Sequence, residues 1–139
     1  PESLPDSKII VMNGDLITSL DLKHVLRFHS EEGGVATLCV REYDFQVPYG
    51  VVEVKESRVQ SVQEKPIHSF FVNAGMYVLN STLVKNIEKN CYLDMPKFLE
   101  QQIEKGDRVS VFPVHEYWID IGCAEEYERA KKDMTSLDQ

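Results

Sequence analysis

Four consecutive apolar residues, Ile9-Ile10-Val11-Met12, run straight into Asn13-Gly14-Asp15, and that junction decides what the chain can build. A run this short and this continuously apolar reads as a strand, over residues 8–13, buried on both faces of a largely parallel sheet. The next segment fits a crossover from such a strand. Ser19 stands as the expected N-cap of a helix in which Leu20, Leu22, Val25, Leu26 and Phe28 recur at helical spacing to about residue 30. Gly33-Gly34 stops that helix, and residues 35–40 read as the next buried strand. A strand–helix–strand unit within one sheet is nearly always a right-handed crossover.

The middle of the chain changes character. Residues 51–54, 59–62 and 70–79 read as short strands, split by turn signals at Glu56-Ser57-Arg58 and around Pro66. They imply antiparallel hairpins added to the sheet or lying over its carboxyl edge. Asn80 or Ser81 caps a helix through Leu83, Val84 and Ile87, and a second helix runs from Pro96 through Phe98, Leu99 and Ile103 to a stop at Gly106. Residues 109–114 read as another strand and Trp118 to Ile121 as a short buried segment. A charged helix over residues 124–134 closes the chain, with residues 135–139 frayed. No repeat, low-complexity tract or linker interrupts this order, so residues 1–139 read as one domain.

The formal net charge of −8 is the wrong sign for non-specific nucleic-acid binding, which draws on clustered Lys and Arg. A chain this acidic binds phosphate only by focusing a few cations or by recruiting a metal. No apolar run approaches the roughly 20 residues that span a bilayer. Residues 1–6 show neither the basic start nor the apolar stretch of a signal peptide. These features read as a cytoplasmic protein that touches neither membrane nor nucleic acid. Cys39, Cys91 and Cys123, odd in number and without short spacing, are expected to be reduced and mostly buried. His24, His29, His68 and His115 are scattered and are expected to sit on the surface.

Chemistry is expected at the strand ends. In open α/β sheets ligands bind outside the carboxyl ends of the strands, where Asp15 stands behind the slim Gly14. A carboxylate there either holds Mg²⁺ against phosphate oxygens or simply caps the strand. Asp120 lies inside an apolar segment, where a charge must be paired, hydrogen-bonded or metal-bound. Either it shares a metal with Asp15 or it accepts backbone amides. Glu64 is suited to sugar hydroxyls and Lys65 to a phosphate, with a solvated charge pair at a turn as the alternative. Gly50 and Gly75 either let a ligand approach the backbone closely or mark bulges.

In order along the chain stand Asn13-Gly14-Asp15, Pro48-Tyr49-Gly50-Val51-Val52, Glu64-Lys65-Pro66, Val72-Asn73-Ala74-Gly75 and Tyr117-Trp118-Ile119-Asp120-Ile121-Gly122. Over roughly residues 8–132 this succession resembles the C-terminal portion of the catalytic domain of sugar-1-phosphate nucleotidyltransferases. These are the NDP-sugar pyrophosphorylases, such as mannose-1-phosphate guanylyltransferases and glucose-1-phosphate thymidylyl- and adenylyltransferases. The resemblance implies an α/β, Rossmann-like three-layer fold with a mixed sheet, truncated at its N-terminal half. It implies that Asp15 and Asp120 bind Mg²⁺ and that Lys65 steadies the incoming phosphate. By the same resemblance Tyr49, Gly50, Glu64, Asn73, Ala74, Gly75 and Trp118 line the sugar site. The implied reaction joins an NTP to a sugar 1-phosphate, giving an NDP-sugar and pyrophosphate. The sugar-phosphate oxygen attacks the α-phosphorus in line, and catalysis is mainly positioning and charge neutralisation.

The pattern departs from the family in one respect. Family members open with a glycine-rich loop, carrying Arg and Lys, that cradles the triphosphate. Gly14, Gly33, Gly34, Gly50, Gly75, Gly106 and Gly122 form no such loop. Pro1 then reads as a cut just upstream of the strand that ends at Asp15. The chain alone is expected to lack transferase activity and, with a sheet edge uncovered, to associate as a homo-oligomer. Two other readings remain open. One is a non-catalytic module that senses NDP-sugar or sugar phosphate, against which the retention of both acids leans. The other is a CMP-sugar synthetase or glycosyltransferase relative, for which the usual Asp-x-Asp string is missing. The motifs do not name the base or the sugar; overall resemblance leans to guanine with mannose or an amino sugar.

Overall fold

The computed structural model describes residues 6–137, so the expectations for residues 1–5 and for fraying at 138–139 lie outside the described residues. The chain runs β1 (Lys8–Met12), β2 (Leu16–Thr18), α1 (Leu22–Glu32), β3 (Ala36–Gln46), β4 (Val51–Lys55), β5 (Arg58–Gln63), β6 (Ile67–Asn80), α2 (Ser81–Lys85), α3 (Met95–Glu104), β7 (Val109–Pro113), β8 (Trp118–Asp120) and α4 (Ala124–Leu137).

Antiparallel pairing organises the sheet. Its strand order is β1-β6-β3-β7, with β6 antiparallel to both neighbours and only β3 and β7 parallel. The fold is therefore mixed α/β, as the resemblance implied, and the expectation of a largely parallel sheet is corrected. The cause lies in the connection. The chain leaves β3 through a hairpin arm and returns directly as β6, and a direct return can only pair antiparallel. β6 thereby sits between β1 and β3, so the α1 crossover spans one intervening strand. β1 forms an edge of the sheet and is half-exposed along its length, so it is not buried on both faces as expected.

Side-chain alternation along β6 divides the core. Met76 and Val78 join Leu20, Val25 and Cys39 under α1, whereas Tyr77 and Leu79 join Leu83, Phe98 and Leu99 under α2 and α3. α1 begins later than expected. Its N-cap is Asp21, whose carboxylate accepts from the Lys23 N–H at 2.9 Å. Ser19 is not the cap, because its N–H donates to the Tyr117 carbonyl at 3.1 Å and holds it beside β8. Pro96 sits in the first turn of α3 as expected, behind an Asp94 cap. α4 continues through residues 135–137 as helix and does not fray there.

Two further expectations are corrected. Cys39 is buried, but Cys91 and Cys123 are exposed, and all three are free. His29 is buried, with Nδ1 at 2.8 Å from Thr37 Oγ1 and Nε2 at 2.9 Å from Asn80 Oδ1. Asn80 Nδ2 donates to the Gly34 carbonyl at 3.1 Å, so the Asn80 oxygen faces the ring and Nε2 carries the donated proton. Both ring nitrogens are matched, which is what makes an interior position tolerable for this side chain.

Beyond the body, Arg41–Gln46 of β3 pairs with Ile67–Val72 of β6 as an arm, and β4 and β5 form a hairpin next to it. Glu56 and Ser57 turn that hairpin with φ of 48° and 62°, the two left-handed residues that a type I′ turn demands.

Candidate functional site

Three segments of the chain meet at the end of β1. The first is Asn13 to Leu16, the second Asn73 to Gly75, and the third Trp118 to Gly122. β2 and β8 pair only with each other: Leu16 opposite Asp120, Ile17 opposite Ile119, Thr18 opposite Trp118. Just past that ladder the Ile121 N–H donates to the Asp15 carbonyl at 2.8 Å. Asp15, in the turn before β2, and Asp120, on β8, therefore come near one another along the backbone, although 104 residues separate them in the chain. Asp120 stands opposite Leu16 and Asp15 beside Ile121. Asp15 is exposed and Asp120 half-buried, and neither joins an ion pair among the described residues. Asp120 Oδ1 accepts from the Gly122 N–H at 3.0 Å, an Asx-type turn that orients the carboxylate.

This donor set fits a divalent cation of the Mg²⁺ kind, which takes one or two carboxylates and completes its shell with water and phosphate oxygens. It does not fit an all-protein cage, since no group of three or more His, Cys, Asp or Glu is placed for a metal among the described residues.

Gly75 adopts φ +70°, and a Cβ there would fall 2.8 Å from Asn13 Nδ2 and 3.0 Å from Leu16 Cδ1. Its N–H donates to Asn73 Oδ1 at 2.8 Å, and its carbonyl accepts from the Asn13 N–H at 2.9 Å. The Asn73 amide nitrogen donates to the Tyr77 hydroxyl at 2.7 Å, so both ends of that carboxamide are committed to shaping the loop. Trp118 Nε1 donates to the buried Ala74 carbonyl at 2.9 Å. Asn13, Arg41 and the Ile121 amide were not singled out from the sequence. The two-residue spacing of Trp118 and Asp120, which puts both on one face of β8, was the available signal.

Tyr49, Gly50, Glu64 and Lys65 form a second group. The Lys65 N–H donates to the Tyr49 carbonyl at 3.3 Å, and a Cβ on Gly50 would lie 3.0 Å from Glu64 Oε2. Lys65 has φ +46°, a left-handed backbone that non-glycine residues seldom adopt away from turns and functional sites. All four residues are exposed, Tyr49 at 74%. The paired arm separates this group from Asn73, a path of about 20 Å along extended strands. No hydrogen bond among the described residues joins the two groups. A cavity of about 290 Å³ between α2 and α3, lined in part by Leu83, Ile87 and Phe98, contains none of these residues.

The profile of the Nucleotidyl transferase family matches residues 2–136. A mannose-1-phosphate guanylyltransferase 1 of Arabidopsis thaliana is 34% identical over 84% of this chain and 33% of its own length. A mannose-1-phosphate guanyltransferase of Emericella nidulans is 30% identical over 88% of this chain and 35% of its own. The chain thus spans about a third of the length of the curated relatives it matches. Among solved structures, HddC from Yersinia pseudotuberculosis aligns with a TM-score of 0.62 and 27% identity, over 96% of this chain and 58% of that one. By the match of this family over residues 2–136, the chain belongs to the nucleotidyl transferase family.

Proposed function

We propose that these residues form the sugar-phosphate side of a catalytic domain that makes an NDP-sugar and pyrophosphate from an NTP and a sugar 1-phosphate. The observation that supports the reading is the β2–β8 ladder, which brings the backbone of the Asp15 turn, bonded to Ile121, next to the strand that carries Asp120. The names of the relatives favour mannose 1-phosphate and a guanine nucleotide as substrates. On this reading residues 1–139 are the C-terminal part of one such domain, working in the cytoplasm, and the chain alone releases no pyrophosphate.

Asp15 and Asp120 would hold Mg²⁺, which when bound neutralises charge between the reacting phosphates. The loop Asn73–Gly75 presents fixed backbone at the ladder end, where a sugar ring can lie against it without a side chain intervening. Glu64 accepts hydrogen bonds from sugar hydroxyls, and Lys65 offers an ammonium to the phosphate at the second group. Tyr49 and Gly50 give that group its apolar face and close backbone approach. The arm that carries these residues is the element whose bending would bring them over the acids.

The test is binding by this chain itself. Mn²⁺ titrated into the protein, followed through the free-ion paramagnetic resonance signal, is expected to saturate one site, and mannose 1-phosphate is expected to tighten it. Asp120→Asn should abolish the site. Equal Mn²⁺ binding by the wild type and Asp120→Asn would refute the reading.

A further inference from the structure

The ribbon beside the two acids is held by packing, through buried Ile119 and through Leu16 and Trp118 against the cluster under α1, more than by hydrogen bonds to the sheet. β2 and β8 are three residues each and share no ladder with the four-stranded sheet. A three-residue pair has too few hydrogen bonds to fix its own position over a sheet. Among the described residues, backbone bonds to the sheet reach it at its margins, from Asn13 N–H to the Gly75 carbonyl and from Val114 N–H to the Val40 carbonyl. Two side chains supply what the ladder lacks. Arg41, on β3, donates from Nη1 to the Glu116 carbonyl at 2.9 Å. Trp118 donates from Nε1 to the Ala74 carbonyl at 2.9 Å.

Arg41 is the less expected of the two. The chain carries 23 acidic residues against 15 Lys and Arg, yet this half-buried guanidinium forms no ion pair among the described residues. A charged group removed from water in this way is ordinarily matched by an opposite charge. Here it is matched by a backbone carbonyl, which fixes direction and distance but gives no charge neutralisation. Arg41 follows the register shift between Leu38 and Val40, and its guanidinium reaches the segment that leads to Trp118, which packs against the cluster that holds Cys39. Glu116 lies at the bend just before β8, and Trp118 and Asp120 are the first and last residues of that strand. A brace at 116 and another at 118 thus set the height and the tilt of the strand on which Asp120 stands next.

We propose that Arg41 and Trp118 are positioning residues for the Asp15–Asp120 pair, holding β8 against the sheet so that the two carboxylates meet one divalent cation. The inference rests on the metal-binding role given above to those acids. Neither residue touches the cation; each acts through the backbone it holds. Groups that orient metal ligands from behind typically change affinity by about 10–100-fold when removed.

The test uses the same Mn²⁺ titration on Arg41→Met, Arg41→Lys, Trp118→Phe and Asp120→Asn, with near-ultraviolet circular dichroism and thermal melts as folding controls. Arg41→Met keeps the length of the side chain but no donor, and Trp118→Phe keeps a ring without the N–H. Both are expected to weaken Mn²⁺ binding about tenfold while folded. Arg41→Lys, which can still donate one bond to the Glu116 carbonyl, is expected to recover most of that loss. Stability changes alone would not produce this rescue in affinity. Wild-type Mn²⁺ affinity in folded Arg41→Met and Trp118→Phe, with binding lost in Asp120→Asn, would overturn the positioning role and leave the metal site standing. Equal weakening by Arg41→Lys and Arg41→Met would also overturn it. Unchanged binding in Asp120→Asn would overturn the metal site and the positioning role together.

Discussion

Gly33 and Gly75 share the same backbone angle, φ +70°, and differ only in what surrounds them. Replacing each by Ala therefore separates backbone strain from crowding. At Gly33, just past α1, a Cβ would meet nothing within 4 Å. The cost there is the left-handed conformation alone, about 1–2 kcal/mol for an L residue. At Gly75 the same strain applies, and the new Cβ would stand 2.8 Å from Asn13 Nδ2, 3.0 Å from Asn13 Cγ and 3.0 Å from Leu16 Cδ1. Crowding of this kind adds about 1–3 kcal/mol. Gly75→Ala should thus cost about 2–5 kcal/mol, at mid-range more than twice Gly33→Ala, which for a chain of this size is a fall in Tm on the order of 12 °C against about 5 °C. Thermal melts with urea titrations at 25 °C measure both. Asn13 is exposed and can move aside, so Asn13→Ala should relieve part of the Gly75→Ala loss and none of the Gly33→Ala loss. Equal losses at the two glycines would refute the argument that the three-segment junction is tightly packed.

Burial pushes the Cys39 thiol up to about 12, from an ordinary 9.0, so at about pH 8 a thiol reagent should label Cys91 and Cys123 quickly and Cys39 only after unfolding. Three fast thiols would contradict this. The same shift has a sign in stability: the unfolded thiol ionises first, so stability is full below about pH 9 and is lost as pH rises towards 12. Urea midpoints between about pH 8 and pH 10.5 should therefore fall less in Cys39→Ala than in the wild type. His29→Ala would leave Thr37 Oγ1 and Asn80 Oδ1 without their buried partner and open a cavity, costing about 3 kcal/mol. A loss under about 1 kcal/mol in urea denaturation would show that water replaces the ring.

Local signals were legible where one residue type dictates one geometry. Pro96 at the start of α3, Gly33 behind α1 and the Glu56-Ser57 turn all stand where the sequence put them. The strand pairing was not legible, because alternation and apolar runs do not record which strand lies beside which. The antiparallel insertion of β6 between β1 and β3 depends on the long return through the arm. β2 was missed for a related reason: Leu16-Ile17-Thr18 is too short to show a period, and only its partner Trp118-Ile119-Asp120 makes it a strand. His29 misled because a lone histidine carries no sequence mark of burial; Thr37 and Asn80, which make burial tolerable, lie 8 and 51 residues away. Both acids were visible as residues, but the pairing of their segments was not, since it is a ladder between stretches at opposite ends of the chain.

Between Leu38 and Val40 the partner residues on β6 step from Tyr77 to Asn73, so β6 uses four positions where β3 uses two. An excess of two is an even number, and an even number leaves the inside–outside alternation of a strand untouched. Asn73 still faces the side that Tyr77 faces, as their hydrogen bond records. An excess of one would have turned the whole arm over. The extra length thus keeps the alternation of the strand while placing one of its own residues, the fully buried Ala74, in the cluster under α1. What the detour changes is the backbone at Ala74 and Gly75, whose carbonyls leave the ladder and receive Trp118 and Asn13 instead. Parity permits the detour, and the buried Ala74, the crowded Gly75 and the bonds to Trp118 and Asn13 hold it to one shape.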